Sequence, residues 1–469
     1  MKGLPESALD LARLLREREI SATELLRHHL DVISTKNPSL GAFVEISERR
    51  ALRAAKRADA LLAKRSSDAP VFLGVPTAIK DSDHLRFHFS RVGSRAFRWV
   101  ISPVDGLVAR TCRRAGFVFL GKLATSELTI LPFVHTSFAP PACNPWDPTR
   151  YGGGSSGGSA IAVASDMLPI APGSDGAGSI RIPASFCGLV GMKPSRGTLV
   201  SPYARFDRVG ISAQGPIART VADAAALLDV LAGRASMSTD AGSFAAAAAA
   251  PPKKLRIRLL RRTPLVDLDP EIEAATLRAA KLLEQLGHQV DEGGALDGGI
   301  DDFLPLMTRM AATVPIPFGE RHLQPTTRWM RELGKRVTHA ASMDRFASLE
   351  RRVADWLGDV DAWIAPTVPV PPPKVGSFDH LDGEGVFRTV AHVGSFTAPF
   401  NISGQPAISV PNGLSSLGLP IGVQLIGKKG EDRLVLSLAR QLEEAIGAAR
   451  HAKARSDQPA APSEAAVAS

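Results

Sequence analysis

The chain has 469 residues, 44% hydrophobic and 22% charged, which is a globular balance with length enough for a large core. Its formal charge is +9, but the arginines are spread widely and read as a solvated basic surface, so nucleic acid is not an expected partner. Three cysteines (Cys112, Cys143, Cys187) are too few for a disulfide framework or a zinc site, Met1 to Ser7 holds no apolar run, and no run of about 18 apolar residues offers a membrane span.

These features predict a cytoplasmic protein without a membrane partner. The N-terminal segment to about residue 65 reads as helical. Ser21-Ala22-Thr23-Glu24 has the form of a capping box. Leu25, Leu26, Leu30, Val32 and Ile33 follow at roughly helical spacing, and Glu48 to Lys64 reads as a second amphipathic helix. Residues 71–80 read as a buried strand ending at Lys80, 107–115 as helix and 117–121 as strand. Residues 160–164 form the body of a short helix opened by a glycine loop, and 168–172 a strand feeding a second one. Strands alternating with helices predict an α/β sheet with helices on both faces. Residues 233–253 read as a low-complexity bridge. A strand at 255–260, a helix from Pro270 to Leu286 stopped by Gly287, and buried strands at 404–411 and 422–427 complete the pattern. The densest basic patch, from Arg321 to His339, falls in a helical region, and residues 448–469 read as a disordered tail.

Two serine-bearing glycine loops carry the chemistry. The first, Gly152 to Ala160, contains Gly152-x-Gly154-x-x-Gly157, but a turn-rich segment rather than a strand precedes it, which argues against a dinucleotide site. A flexible linker would not pass directly into an apolar helical run. The second loop is Gly173-Ser174-Asp175-Gly176-Ala177-Gly178-Ser179-Ile180-Arg181. Its glycines let backbone N–H groups converge on one point beside a serine hydroxyl, as an oxyanion requires. The expected donors are the N–H groups of Gly176, Ala177, Gly178 and Ser179. Asp175 and Arg181 read as an ion pair that holds the loop. Lys80 ends an apolar run, so burial is expected to lower its pKa and supply the neutral amine of a general base. Asp81 reads as a partner of backbone or of a neighbouring loop. Serine is a poor nucleophile at neutral pH and needs a base and oxyanion donors. The set therefore points to a hydrolase with a serine nucleophile, a serine relay and a lysine base. His84, His88 and His135 lie nearby in sequence, but neither serine sits in a Gly-x-Ser-x-Gly elbow and no zinc signature occurs, so they read as ordinary polar residues. Cys187 reads as a buried core thiol.

Together these segments resemble the amidase signature family. The resemblance extends through Lys193 to Gly197, Gly215 to Thr220 and Pro399 to Pro406, and covers residues from about 5 to 445. It implies one large α/β domain over 1–447, with a mixed sheet covered by helices, and hydrolysis of carboxamides without a cofactor or metal. It implies Ser179 as nucleophile, Ser155 as a bridging serine held by a cis peptide bond after Gly154, and Lys80 as base, supported by Ser156, Asp175 and Arg181. Ala177 stands where most members carry glycine and would be strained at positive φ. Ser82 stands where asparagine is common. Residues 128–132 and 173–177 resemble members acting on aryl acylamides and aminohexanoate oligomers. The expected partner is a small apolar or aryl amide, with Leu131, Phe133, Phe138, Phe318, Trp329 and Phe400 as candidate pocket walls. Residues 300–345 correspond to the most variable part of the family. A homodimer is compatible with this reading. Two other functions are open. One is a glutaminase subunit of a tRNA-dependent amidotransferase, with Arg321 or Arg328 holding the substrate carboxylate. The other is a catalytically inactive binding protein on the same fold.

Overall fold

The strands in chain order are β1 (Phe43–Ile46), β2 (Pro76–Lys80), β3 (Val118–Leu123), β4 (Ala171–Asp175), β5 (Val190–Lys193), β6 (Ala213–Ala218), β7 (Arg256–Leu259), β8 (Gln289–Glu292), β9 (Ala362–Pro366), β10 (Ala407–Leu414) and β11 (Pro420–Gly427). This computed structural model describes residues 3–456 apart from 67, 203–206, 208, 235–241 and 296–297. Eight strands form one mixed sheet in the order β4-β6-β5-β10-β11-β9-β7-β8. Its pairs are antiparallel from β4 to β9 and parallel from β9 to β8. A smaller sheet has the order β1-β3-β2, with β2 and β3 parallel. β11 is buried along its whole length, which explains its nearly unbroken apolar sequence, whereas β8, at an edge, is polar.

Helices Arg181–Cys187, Val221–Leu231, Pro270–Gln285 and Asp432–Ser456 pack on the large sheet. One apolar core runs from Ala8 to Ile446 and joins both sheets. At the N-terminus the capping box forms as expected. Ser21 Oγ accepts from the Glu24 N–H at 3.1 Å, and the Ser21 N–H donates to Glu24 Oε2 at 2.9 Å.

Five expectations shift. Residues 71–75 are turns, because their backbone bonds to Ala115 and Gly116, so the strand begins only at Pro76. The strand expected at 168–172 is displaced to Ala171–Asp175, so the second glycine loop begins inside a sheet. There Gly173 faces Gly215, and a side chain at Gly215 would collide with the Met192 carbonyl. Glycine marks close strand approach here rather than a loop. The alanine run in the 233–253 bridge forms a helix, Phe244–Ala249, whose Ser243 cap accepts from the Ala246 N–H at 3.0 Å. β1 interrupts the helical N-terminal segment. The last helix continues through Ser456, past the start of the expected tail, and 457–469 lie outside the described residues.

Candidate active site

Lys80 is the last residue of β2, and the sheet register carries its ammonium into the interior beside β4. The side chain is fully buried, and its Nζ lies 2.8 Å from Ser155 Oγ, 2.9 Å from Ser156 Oγ and 2.8 Å from Ser174 Oγ. Burial is the main cause that pulls its pKa down to about 7, against the opposing fields of Asp83 and Asp175. A neutral lysine has two N–H groups and one lone pair, so one of the three hydroxyls must donate to it. Ser156 is already committed, because its hydroxyl donates to the Ser174 carbonyl at 3.1 Å. The proton for Lys80 must therefore come from Ser155 or Ser174. Lys193 is also buried and also drawn down to about 7, first by burial and then by the Arg181 charge, but among the described residues its Nζ bonds only to the Pro194 carbonyl, at 2.9 Å. Geometry, not pKa, separates the two lysines.

The peptide bond between Gly154 and Ser155 is cis. The first loop then enters the helix Gly157–Ala164, and the Ser156 N–H donates to the Ser179 carbonyl at 3.2 Å, which ties the two loops together. Ser174 is the third contact of Lys80, and no local signal in the sequence marks its side chain. Its placement follows from the strand at Ala171–Asp175, whose alternation turns the Ser174 side chain toward Lys80.

The second loop is held from below. Arg181 Nε donates to Asp175 Oδ2 at 3.0 Å and Arg181 Nη2 to Asp175 Oδ1 at 3.1 Å, with both side chains fully buried. Arg181 Nη2 also reaches Asn401 Oδ1 at 2.6 Å, and Asn401 Nδ2 donates to the Asp175 carbonyl at 2.8 Å. Burial would raise the Asp175 carboxyl, but the Arg181 charge and hydrogen bonds outweigh it and hold the pKa well below the usual range. Asp81 accepts from the backbone of Arg91 and Gly93 and pairs with buried Lys122, as expected of a loop partner.

One expected oxyanion donor is lost. The Gly178 N–H donates to Asp175 Oδ1 at 2.6 Å, so it is spent on the loop's own support. Gly178, at φ +121, is the residue with positive φ, while Ala177 is not among the positive-φ residues. The alanine is therefore unstrained. Its carbonyl accepts from Thr397 Oγ1 at 2.7 Å.

Ser155, Ser174, Gly176, Ala177 and Ser179 open together on a cavity of about 520 Å³. Among the described residues, no hydrogen bond to Ser179 Oγ is formed. The opposite wall comes from residues 82–107, with Val92, Phe97 and Val100, and from Met307, Met310 and Val314. None of the six expected wall residues lines it. Leu131, Phe133 and Trp329 pack in a separate apolar cluster with Phe387, and Phe400 packs near Trp363. Phe138 lies beside the Arg91 guanidinium, and Phe318 is exposed outside the cavity. Apolar character identified buried side chains without saying which space they border. Residues 307–317, within the variable region, do contribute wall. His84 also lines the cavity, with Nδ1 2.6 Å from Ser102 Oγ, whereas His88 bonds Ser47 and His135 bonds Tyr151 outside it. Arg321 and Arg328 are exposed and do not line it. All three cysteines are free thiols, and Cys187 is buried as expected. Among the described residues no group of three His, Cys, Asp or Glu could hold a metal ion, and no helix is long and apolar enough to cross a membrane.

The Amidase family profile matches residues 24–436. A putative amidase of Synechocystis sp. is 34% identical over 94% of this chain and 88% of its own length. The 6-aminohexanoate-cyclic-dimer hydrolase of Pseudomonas sp. is 34% identical over 94% of this chain and 95% of its own. A solved structure of 6-aminohexanoate cyclic dimer hydrolase superposes with a TM-score of 0.85 at 32% identity, covering 94% of this chain and 98% of that one. The chain therefore belongs to the Amidase family and is a hydrolase of amide carbon–nitrogen bonds.

Proposed function

We propose that the chain hydrolyses small apolar or aryl carboxamides through an acyl-enzyme on Ser179, with Ser155 and Lys80 as the proton relay. The observation that carries this reading is the 2.8 Å contact between Lys80 and Ser155 at the floor of a cavity that Ser179 also lines. Ser179 Oγ attacks the amide carbon. Its proton passes to Ser155 as Ser155 gives its own to Lys80, which requires the Ser179 hydroxyl to turn toward Ser155. The N–H groups of Gly176, Ala177 and Ser179 remain as candidate donors to the oxyanion. The carbon–nitrogen bond then breaks as the amine takes a proton from Ser155, which Lys80 replaces. Amines leave poorly without that proton. Water attacks the ester, gives its proton to the same relay and frees Ser179.

Apolar walls with few polar anchors favour an apolar acyl or amine group. A glutaminase would need a buried partner for the α-carboxylate. Among the described lining residues there is no arginine, which weighs against that role. An inactive scaffold would have no use for a buried lysine among three hydroxyls. We also read residues 1–447 as one domain, because a single core spans Ala8 to Ile446. The test is labelling with a fluorophosphonate, followed by peptide mapping. The adduct is expected on Ser179 and absent from Ser179→Ala. An adduct on Ser155 or Ser156 would reverse the assignment of roles.

A further inference from the structure

The wall of residues 82–107 has an outer side as well as an inner one. Phe87 is 52% exposed, Trp99 64%, Ile101 54% and Val104 64%. Soluble surfaces carry such residues singly, but here four fall within one short excursion between β2 and the helix Leu107–Arg114. They are neighbours in space. The Phe87 N–H donates to the Ser102 carbonyl, the Ser90 N–H to the Val100 carbonyl, and Phe89 faces Ile101 across an antiparallel bridge. Phe318 joins them, because the Arg98 guanidinium lies 5.9 Å from both the Trp99 and Phe318 rings.

Cations interleave with the rings. Arg86 sits 4.5 Å and Arg50 5.8 Å from the Phe87 ring centroid. Arg95, Arg98 and Arg321 converge on His322, whose pKa is lowered by slight desolvation and then by those three charges. Among the described residues, Arg50, Arg95, Arg98 and Arg321 have no carboxylate within ion-pair distance. Two acids close by in the chain are spent elsewhere, with Asp105 on Arg113 and Glu320 on Arg331 and Lys335.

The same stretch is continuous with the cavity. Phe97 and Val100 line it while Trp99 and Ile101 point out, and Pro317 lines it while Phe318 is exposed. We propose that this aromatic and arginine rim docks the protein on an anionic lipid surface, with the cavity mouth facing the lipid. Rings and branched aliphatics suit the acyl boundary, and unpaired guanidiniums suit phosphate headgroups. A nucleic acid would match the arginines but leave Ile101 and Val104 without a role. A neutral protein partner would leave the arginines unpaired. Docking does not depend on the amide-hydrolysis reading, and its test does not measure turnover.

The full chain is mixed with phosphatidylcholine vesicles, and separately with vesicles that also contain phosphatidylglycerol, then floated on a density gradient. Binding is expected only to the anionic vesicles and is expected to fall as salt rises. Arg95→Gln with Arg98→Gln should weaken it by about 25-fold, at about fivefold per arginine. Trp99→Ser with Ile101→Ser should weaken it by at least about tenfold. Unchanged thermal unfolding of both variants shows that the fold is intact. The proposal is overturned if the wild type ignores both vesicles, or if the variants float as well as the wild type. It is also overturned if the Trp99 and Ile101 variant only dissolves a dimer of this chain, or if the protein binds RNA and not vesicles.

Discussion

Lys80 carries the proposed relay, because a buried amine at about 7 can be a base near neutral pH. kcat/KM on a simple amide is expected to rise with pH through about 7 and then level, and Lys80→Ala should lower kcat by about 10²–10⁴-fold. Near wild-type turnover in that variant would remove the relay. The same shift has a sign for stability. Lys80 falls from 10.5 in the unfolded chain to about 7 when folded, so the unfolded state binds more protons between those values. Its burial penalty is full below about pH 7, shrinks as pH rises and is gone above about 10.5. Lys80→Met is therefore expected to raise Tm at pH 6 more than at pH 9, a difference that corresponds to about 3 kcal/mol of stability, at about 1.4 kcal/mol for each pH unit from about 7 to 9. An equal change in Tm at both pH values would contradict that assignment. Gly178 is the second residue on which the site turns. Gly178→Ala must fit a side chain at φ +121 against Thr397 Oγ1, so loss of fluorophosphonate labelling and about 1–3 kcal/mol of stability are expected. Ala177→Gly should leave both nearly unchanged, because Ala177 needs no positive φ.

At the scale of elements, the second glycine loop is a strand end braced by a buried ion pair. Arg181→Ala leaves Asp175 charged and unpaired in the interior, which typically costs about 3–5 kcal/mol. Arg181→Lys cannot reproduce the forked contact and should recover only part of it. Denaturant unfolding measures the loss, and a cost below about 1 kcal/mol would show that Asn401 and the backbone hold the loop without the arginine. Asp175 has its folded pKa depressed, so its stabilising contribution is present above the unfolded carboxyl value and is lost as pH falls. Sequence made much of this visible. Lys80 at a strand end, the capping box at Ser21 and the Asp175–Arg181 pair are local signals, each carried by a few adjacent residues. What stayed hidden was non-local. Gly173 to Asp175 look like loop until β6 is known to lie against them, and the Gly178 N–H looks like an oxyanion donor until Asp175 is seen folded back on it. The cavity walls are hidden for the same reason. Phe133 and Phe400 are as apolar as Phe97, and only the packing of distant segments decides which ring faces the substrate space.

For the molecule as a whole, substrate choice rests on three of the segments that line one cavity: the glycine loops, residues 82–107, and residues 307–317. The first carries the proposed reacting groups and the other two provide apolar wall, interrupted by Ser82, Asp83, His84 and Ser90. Asp207 lines it as well, with its carboxylate accepting from the Gly210, Ile211 and Ser212 N–H groups. A free amino acid amide such as glutamine brings a carboxylate that must lose water on entering. Lys80 Nζ, buried behind the lining, already faces three serine hydroxyls, and among the described lining residues there is no guanidinium. Leaving such a charge unpaired in an apolar space is costly enough to dominate selectivity. An anilide or a medium-chain aliphatic amide brings no such charge and gains from each methylene it buries, about 0.8 kcal/mol or roughly fourfold in affinity. Steady-state assays on a panel of aliphatic amides, anilides and glutamine are therefore expected to give kcat/KM at least tenfold higher for the apolar members, rising with chain length until the cavity of about 520 Å³ is filled. Met310→Trp should shorten the chain length at which that rise stops without changing the pH dependence set by Lys80, since Met310 touches the far wall and not the relay. A panel in which glutamine leads, with turnover that climbs when a tRNA-binding partner is added, would reject the apolar substrate and leave the Lys80–Ser155–Ser179 assignment standing.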